Sequence, residues 1–248
     1  RKKLLGDARG SISSMGTGMS AASLNRRSYF DPSFDMKKKY RRAVIGKSPE
    51  VFTDIYLEQI NIVVWQRRLS DTLKADVTRF LVSNPSFQIS ITVTPQNVFS
   101  RIRKFLGETS QLDLSKNISQ LVGMFCCLFE IESVGLRLAV LDHPMCPKFH
   151  VDRVPCRLVT TFHGVATEWL PHHKVNRAKL YGEGDMASDN QVGLYKSQND
   201  IQQLCQGDVA LLKGEIWDGN DNAGLVHRSP SLDGDQQLRL LLTIDFGN

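Results

Sequence analysis

The second half of the chain is a series of short apolar runs separated by turn-forming residues, and this pattern restricts the fold more than any other feature. Clusters of Gly, Pro, Asp and Asn lie between the runs. Many short strands with such connections are typical of a β-barrel or β-sandwich. The sequence therefore predicts a mainly β domain over residues 131–248, with strands at 136–141, 149–151, 156–162, 192–195, 208–213 and 238–246.

Residues 46–130 show mostly helical periodicity. A β-branched run at 60–65 predicts one strand, and Ser70 is placed to cap a helix that ends near Val82. A strand at 87–93, a short helix beyond Pro95 and a longer helix with a buried stripe up to Phe129 are predicted next. No group of side chains in this part is arranged for chemistry. We interpret it as an α-rich flank packed on the β domain, which makes the fold class α+β and mainly β.

The positive charge is concentrated in residues 1–45, which we interpret as a basic and disordered tail. Residues 1–42 hold 11 basic and 3 acidic side chains, whereas the remainder holds 20 basic and 23 acidic ones. The first 30 residues are rich in Ser, Gly, Met and Arg without periodicity, which is typical of disorder. A transit-peptide remnant is the alternative. Because the charge lies in a tail and not on a folded face, we expect no nucleic-acid partner.

Cysteine usage and hydropathy indicate a compartment. The five cysteines are an odd number without the spacing of a disulfide framework, which favours reduced thiols. No run of 18 apolar residues is present, so we expect no membrane partner. These features predict a cytoplasmic protein, or an organellar one if residues 1–30 are a targeting remnant.

A candidate metal site lies in the β domain. In a strand, residues i and i+2 point to the same face, so His150 and Asp152 project together while Val151 points away. A third ligand has to come from elsewhere, and His227 is the best candidate, after the Gly-containing turn at 218–224. Two histidines and one carboxylate on one face of a metal form the ligand set of non-haem Fe(II) oxygenases.

This arrangement resembles the double-stranded β-helix of the Fe(II)/2-oxoglutarate-dependent dioxygenases, a jelly-roll and cupin-like fold. In that family a His-x-Asp is followed by a distant His and then, on the next strand, by an Arg. The resemblance implies that His150, Asp152 and His227 bind Fe(II) and that Arg239 pairs with the distal carboxylate of 2-oxoglutarate. Guanidinium suits that role because it is a planar fork that stays charged when buried.

Other assignments stay open around Arg239. The alternative to a co-substrate anchor is an ion pair between Arg239 and an acid, and the candidates are Asp233, Asp235 and Asp245. Rival anchors are Arg157, Arg228 and Lys148. Ser229 is a candidate helper through its hydroxyl, and Glu168 and Trp169 are candidates for the pocket mouth.

A second resemblance covers more of the chain. The stretches 145–152, 154–161, 167–170, 227–230 and 239–245 are similar to a family known as domain of unknown function 1826, and the strand at 62–67 extends the match. That family has no assigned reaction. The dioxygenase hypothesis therefore depends on the motif and not on this second resemblance.

The sequence is consistent with two different functions. The first is an Fe(II)/2-oxoglutarate-dependent oxygenase, a hydroxylase acting on a small molecule or peptide. The alternative is a cupin-like zinc or iron protein that handles or senses metal, which needs the triad but not Arg239. Cys146 and Cys156 flank the His-x-Asp and suit zinc, although their spacing matches no common zinc motif. The sequence indicates no oligomeric state.

Overall fold

Two β-sheets of unequal size, with helices on the far side of the larger one, make up the described part of the chain. The structure is a computed structural model that describes residues 40–107, 111–180, 193–232 and 238–247. The helices are α1 (Asp71–Ser83), α2 (Val98–Leu106) and α3 (Leu112–Phe129), with 3-10 turns at Pro49–Tyr56, His172–Lys174, Arg177–Lys179 and Gln198–Asp200. The strands are β1 (Arg42–Gly46), β2 (Ile60–Trp65), β3 (Gln88–Val93), β4 (Val134–Leu141), β5 (Cys156–His163), β6 (Glu168–Leu170), β7 (Gln202–Gln203), β8 (Val209–Lys213), β9 (Val226–Arg228) and β10 (Arg239–Phe246).

The chain alternates between the sheets from β4 onward. The large sheet has the order β1-β2-β8-β5-β10-β4-β3, and the small sheet has the order β7-β6-β9. A bridge between His150 and His227 places the His-x-Asp segment beside β9 as well. The order in the chain is thus large sheet at β4, small at His150, large at β5, small at β6 and β7, large at β8, small at β9 and large at β10. This alternation is a double-stranded β-helix, or jelly roll, and the predicted fold class is confirmed.

Side-chain alternation in the large sheet separates two apolar layers. Even-numbered positions of β4, β5 and β10 pack against the helices, as Leu138, Leu158 and Leu242 do. Odd-numbered positions point toward the small sheet, where Leu241 shares a cluster with Trp169 of β6. The functional side chains predicted on β5 and β10 are odd-numbered, and they therefore face the space between the sheets.

Three sequence predictions need correction. Arg42–Gly46 form β1, so the predicted disordered tail over 1–45 is wrong at its end; parallel pairing with β2 provides the backbone hydrogen bonds that the local sequence does not indicate. Of the predicted strand at 192–195, residues 193–195 form a turn and a bend. The strand at 149–151 is reduced to the single bridge at His150. The rest of the predicted tail, residues 1–39, lies outside the described residues.

The helical flank contributes strands as well as helices. Ser70 caps α1, as predicted, by accepting a hydrogen bond from the Leu73 amide. The strands β1, β2 and β3 extend both edges of the large sheet. Within the described residues, no helix has both the length and the hydrophobicity needed to cross a lipid bilayer.

Candidate metal and co-substrate site

His150, Asp152 and His227 lie together at the edge of the small sheet. One ligand atom from each of the three side chains lies within 4.8 Å of the others. His227 Nε2 is 3.3 Å from Asp152 Oδ2, and His150 Nε2 is 3.6 Å from Asp152 Oδ1. The side chain of His227 is 8% exposed and that of His150 is 31% exposed, so the cluster has one buried and one open side. The structure thus brings the three predicted ligands to one point.

Backbone pairing creates this cluster. His150 and His227 exchange two N–H···O=C hydrogen bonds of 3.0 Å each, which sets both side chains on one face. The segment packs closely on the turn before β9, because a Cβ at Gly224 would lie 2.4 Å from Val151 Cγ1. A side chain at position 224 would therefore push the His-x-Asp segment away from β9.

Both imidazole rings are held by carbonyl oxygens of their own segments. His150 Nδ1 lies 3.0 Å from the Lys148 carbonyl oxygen, and His227 Nδ1 lies 3.2 Å from the Leu225 carbonyl oxygen. A carbonyl oxygen only accepts, so each Nδ1 carries the hydrogen and each Nε2 of the neutral ring has a lone pair. This second contact is what orients and fixes the tautomer of metal-binding histidines. The lone pairs are thereby directed at the space beside Asp152.

The carboxylate of Asp152 lies in a strongly positive environment. Arg157 Nη1 is 2.9 Å from Asp152 Oδ2, and both imidazoles contact the same carboxylate. Burial would raise the pKa of Asp152, but His150, His227 and Arg157 together outweigh it and hold the pKa far below its usual value. Burial would likewise lower the pKa of His150, and the contacts with Asp152 and the Lys148 carbonyl raise it overall. Asp152 is therefore an anion, as a metal ligand has to be.

Arg239 is buried between the sheets and has neutral partners. It is 1% exposed and donates hydrogen bonds to Thr167 Oγ1 at 2.8 Å and to Thr161 Oγ1 at 3.2 Å. No carboxylate of the described residues forms an ion pair with it, and Asp245 pairs with Arg157 instead. Asp233 and Asp235, the other predicted partners, lie outside the described residues. Burial lowers the pKa of Arg239 to about 10. The site thus contains a buried guanidinium without an anion in the described part of the chain.

The other predicted residues surround the site without entering the cluster. Glu168 forms an ion pair of 2.7 Å with Arg228, and Trp169 is buried in the layer between the sheets. Ser229 Oγ accepts a weak hydrogen bond of 3.4 Å from the Cys146 amide. Cys156 points to the helical layer, where burial raises the pKa of its thiol. No cysteine of the described residues joins the three-residue cluster, so the zinc interpretation based on Cys146 and Cys156 is not supported.

The sequence analysis missed the two threonines that hold Arg239. Thr161 lies on β5 at an odd position, the same parity as Arg157, so strand alternation alone would have placed it between the sheets. Thr167 precedes β6, whose Trp169 pairs with His227 in the small sheet. Because Thr167 lies two residues before Trp169 and binds Arg239, this pairing places Arg239 on the same side of the small sheet as the three predicted metal ligands. No local signal in the sequence indicates the three-residue strand β6.

One known protein family matches most of the chain. The model of the family described as "Protein of unknown function (DUF1826)" matches residues 46–245. This range includes His150, Asp152, His227 and Arg239. No curated protein matches the sequence closely enough to count as a relative.

Solved structures with a similar arrangement are distant in sequence. The dioxygenase for auxin oxidation 1 of Arabidopsis thaliana, in complex with 2-oxoglutarate, is 9% identical, with a TM-score of 0.46 and coverage of 83% of this chain and 92% of that one. A putative oxygenase from Shewanella oneidensis is 10% identical, with a TM-score of 0.40 and coverage of 83% and 89%. A Pseudomonas putida prolyl-4-hydroxylase is 11% identical, with a TM-score of 0.36 and coverage of 81% and 99%. At these scores we draw nothing about activity from the likeness.

Proposed function

The chain belongs to the DUF1826 family of proteins of unknown function, and from its site we propose that it is an Fe(II)/2-oxoglutarate-dependent oxygenase that hydroxylates a small molecule or peptide. The observation that carries the proposal is the pairing of a His-x-Asp…His cluster with Arg239, a buried cation whose hydrogen bonds go to two hydroxyls. A protein that only stores or senses metal needs the cluster alone. The buried guanidinium argues for an anionic co-substrate as well.

The cluster fits a divalent metal ion. Asp152 Oδ2 is buried and accepts no hydrogen bond within the described part of the chain, although Arg157 and His227 lie near it. Arg157 compensates the charge of Asp152 in part, and a metal ion would occupy the lone pairs of Oδ2 that accept no hydrogen bond. The two Nε2 lone pairs are directed at the same space by the carbonyl contacts of Nδ1. His150, Asp152 and His227 would hold the ion on one side and leave its other positions open, which is the arrangement that suits Fe(II).

The surroundings of Arg239 fit a carboxylate. An unpaired buried charge is strongly unfavourable, and a planar guanidinium pairs with a carboxylate through two parallel hydrogen bonds. Thr161 and Thr167 fix one side of the guanidinium, and their hydroxyl hydrogens are available to the same anion. The distal carboxylate of 2-oxoglutarate would supply the missing charge while its keto acid end reaches the metal.

Each group of the chain then has a role. When bound, Fe(II) and 2-oxoglutarate would supply the oxidation: one atom of O2 would enter succinate, formed with loss of CO2, and the other would enter the substrate as a hydroxyl group. Arg239 and the two threonines hold the co-substrate in one orientation, and the protein supplies placement in a dry space. The carbonyl contacts hold Nδ1 of each imidazole and turn each Nε2 toward the metal position. Substrate would approach from the side of His150 that is open to solvent.

The test is an anaerobic titration of the Fe(II)-loaded protein with 2-oxoglutarate. The chelate of 2-oxoglutarate to Fe(II) gives a weak visible charge-transfer band, which we expect to saturate near one equivalent. Arg239→Met should weaken 2-oxoglutarate binding by about 100-fold or more because a charge-assisted pair is lost, while Mn(II) affinity stays unchanged. Arg153→Met is the matched control, since Arg153 is exposed beside the site.

The outcomes separate the two functions. If Fe(II) binds and no band develops, the oxygenase proposal is wrong and a metal-handling role takes its place. If Arg239→Met and Arg153→Met bind 2-oxoglutarate equally well, the assignment of Arg239 is wrong. If His227→Ala retains full metal affinity, neither function stands, because both require His227 as a ligand.

A further inference from the structure

Arg137 lies on the same face of the large sheet as the site, where no function has been assigned. It occupies an odd-numbered position of β4, two residues before Ala139, which belongs to the apolar layer between the two sheets. Its neighbours across the sheet are Thr243 on β10 and Ser90 on β3. Arg137 therefore projects from the face that contains Arg157 and Arg239 and not toward the helices.

Arg137 has no ionic partner among the described residues. Its Nε atom is buried and makes no hydrogen bond there, and its flanking side chains are two neutral hydroxyls. The nearest acid in the register is Asp245, one diagonal step away, and both of its oxygens bind Arg157 at 2.7 and 2.8 Å. The cost lies in the buried Nε, which lacks an acceptor, and an anion bound beside Arg137 would supply one.

The register also limits the distance between Arg137 and the metal cluster. Asp245 pairs with Gly135, two residues from Arg137, so the Cα atoms of Asp245 and Arg137 are about 7–8 Å apart. Asp245 binds Arg157, and Arg157 in turn contacts the metal-binding carboxylate of Asp152. Two side chains, Asp245 and Arg157, thus separate Arg137 from the metal-binding carboxylate, and a substrate bound by Arg137 would have to extend past both to reach the metal.

Arg137 and Arg239 are separated along the sheet. Arg239 pairs with Leu141 at the far end of β4, four residues beyond Arg137. Four residues of a strand span about 13 Å, so a co-substrate held by Arg239 leaves Arg137 accessible. The two arginines are thus placed for two different anions.

We propose that Arg137 binds an anionic group of the primary substrate, and that the substrate class is therefore a carboxylate, phosphate or sulfate ester or acid. The proposal rests on the proposed function in that a primary substrate exists beside 2-oxoglutarate. Ser90 and Thr243 add hydroxyl donors on either side of the guanidinium. The anion sets the position of the molecule, and the carbon to be oxidised lies toward the metal.

The test uses inorganic phosphate as the probe and Mn(II) in place of Fe(II). With the protein loaded with Mn(II) and saturated with 2-oxoglutarate, we expect the phosphorus-31 relaxation rate of phosphate to rise, because bound phosphate lies near a paramagnetic ion. Arg137→Met should weaken phosphate binding about tenfold or more through loss of a charge-assisted contact. Arg137→Lys should retain part of it because the charge remains.

Arg103→Met is the matched control. Arg103 also has a buried Nε without a hydrogen bond in the described residues, but it lies on α2 and stacks on Phe99. The proposal is overturned if Arg137→Met binds phosphate as the unmodified protein does, if Arg103→Met loses binding equally, or if the unmodified protein binds no phosphate. It is also overturned if Arg137→Met loses 2-oxoglutarate, since Arg137 would then hold the co-substrate.

Failure of the oxygenase proposal can be distinguished from failure of the Arg137 proposal. If Mn(II) or 2-oxoglutarate does not bind, the oxygenase proposal fails, and phosphate titration by phosphorus-31 line width without metal still compares Arg137→Met with the unmodified protein. Displacement of phosphate by acetate or by sulfate supports the proposal and narrows the substrate to a carboxylate or to a tetrahedral oxyanion.

Discussion

The guanidinium of Arg157 forms a two-pronged ion pair with the carboxylate of Asp245, with Nε–Oδ1 at 2.7 Å and Nη2–Oδ2 at 2.8 Å. This ion pair fixes the orientation of the Arg157 side chain. The third guanidinium nitrogen, Nη1, lies 2.9 Å from Asp152 Oδ2. Arg157 is therefore not available as the anchor of 2-oxoglutarate. Its position instead orients the carboxylate that we propose as a metal ligand.

Removal of Arg157 should weaken metal binding. We expect Arg157→Met to lower Mn(II) affinity by about 10- to 100-fold, because partners that orient a ligand typically contribute that much. The measurement is isothermal titration with Mn(II), with Arg153→Met as the exposed control. Equal Mn(II) affinity in the two variants would show that Asp152 is oriented without Arg157.

Removal of Arg239 should not destabilise the metal-free protein. Its charge is buried with hydroxyl partners only, in the described part of the chain, and burial lowers its pKa to about 10. Replacing a poorly compensated buried charge with an apolar side chain of similar length is often neutral or stabilising. Arg239→Met should therefore melt at the same temperature or higher in circular dichroism while losing 2-oxoglutarate binding. A large drop in melting temperature would indicate a structural role instead.

Thr160 should be replaceable with a gain in stability. Its side chain is 1% exposed at an even position of β5, and its Oγ1 makes no hydrogen bond in the described residues. Thr160→Val removes a buried polar group with little change of shape and should raise the free energy of unfolding by about 1 kcal/mol. Urea denaturation measures this change. Thr161→Val is the matched variant on the opposite face, and it should weaken 2-oxoglutarate binding because Arg239 loses a partner.

Lys213 should make stability depend on pH above neutrality. It is 1% exposed, donates to the Leu57 carbonyl oxygen at 3.1 Å and lies 4.6 Å from the centre of the Trp217 ring. Burial, with a contribution from Arg41, lowers its pKa from 10.5 to about 8. Between these values the unfolded chain binds a proton that the folded chain does not, so the contribution of Lys213 to the free energy of unfolding rises with pH.

The test of this dependence is a comparison with Lys213→Met. Urea denaturation at pH 7.5 and 9.5 should show a larger increase in the free energy of unfolding for the unmodified protein than for the variant. The comparison cancels the contributions of other groups that ionise in this range. Parallel pH profiles for the two proteins would contradict the assignment.

Long and periodic elements could be predicted from local sequence. The predicted strand at 60–65, the helix that Ser70 caps and the strands that became β4, β5, β8 and β10 are found within a few residues of their predicted bounds. The spacing of His150 and Asp152, and the choice of His227 as their partner, also came from the sequence. These features depend on side-chain alternation, turn residues and capping, which act over a few neighbouring residues.

The partners of the charged groups are set by tertiary contacts and could not be predicted in the same way. Arg157 and Asp245 are 88 residues apart, and Arg239 and Thr167 are 72 apart, so their contacts depend on the register of strands that the local sequence does not specify. The same holds for β6 and β9, which are three residues long and exist because they pair with each other. A three-residue strand is stabilised by its neighbours and not by its own β-propensity, because β-propensity mainly reflects packing against cross-strand side chains.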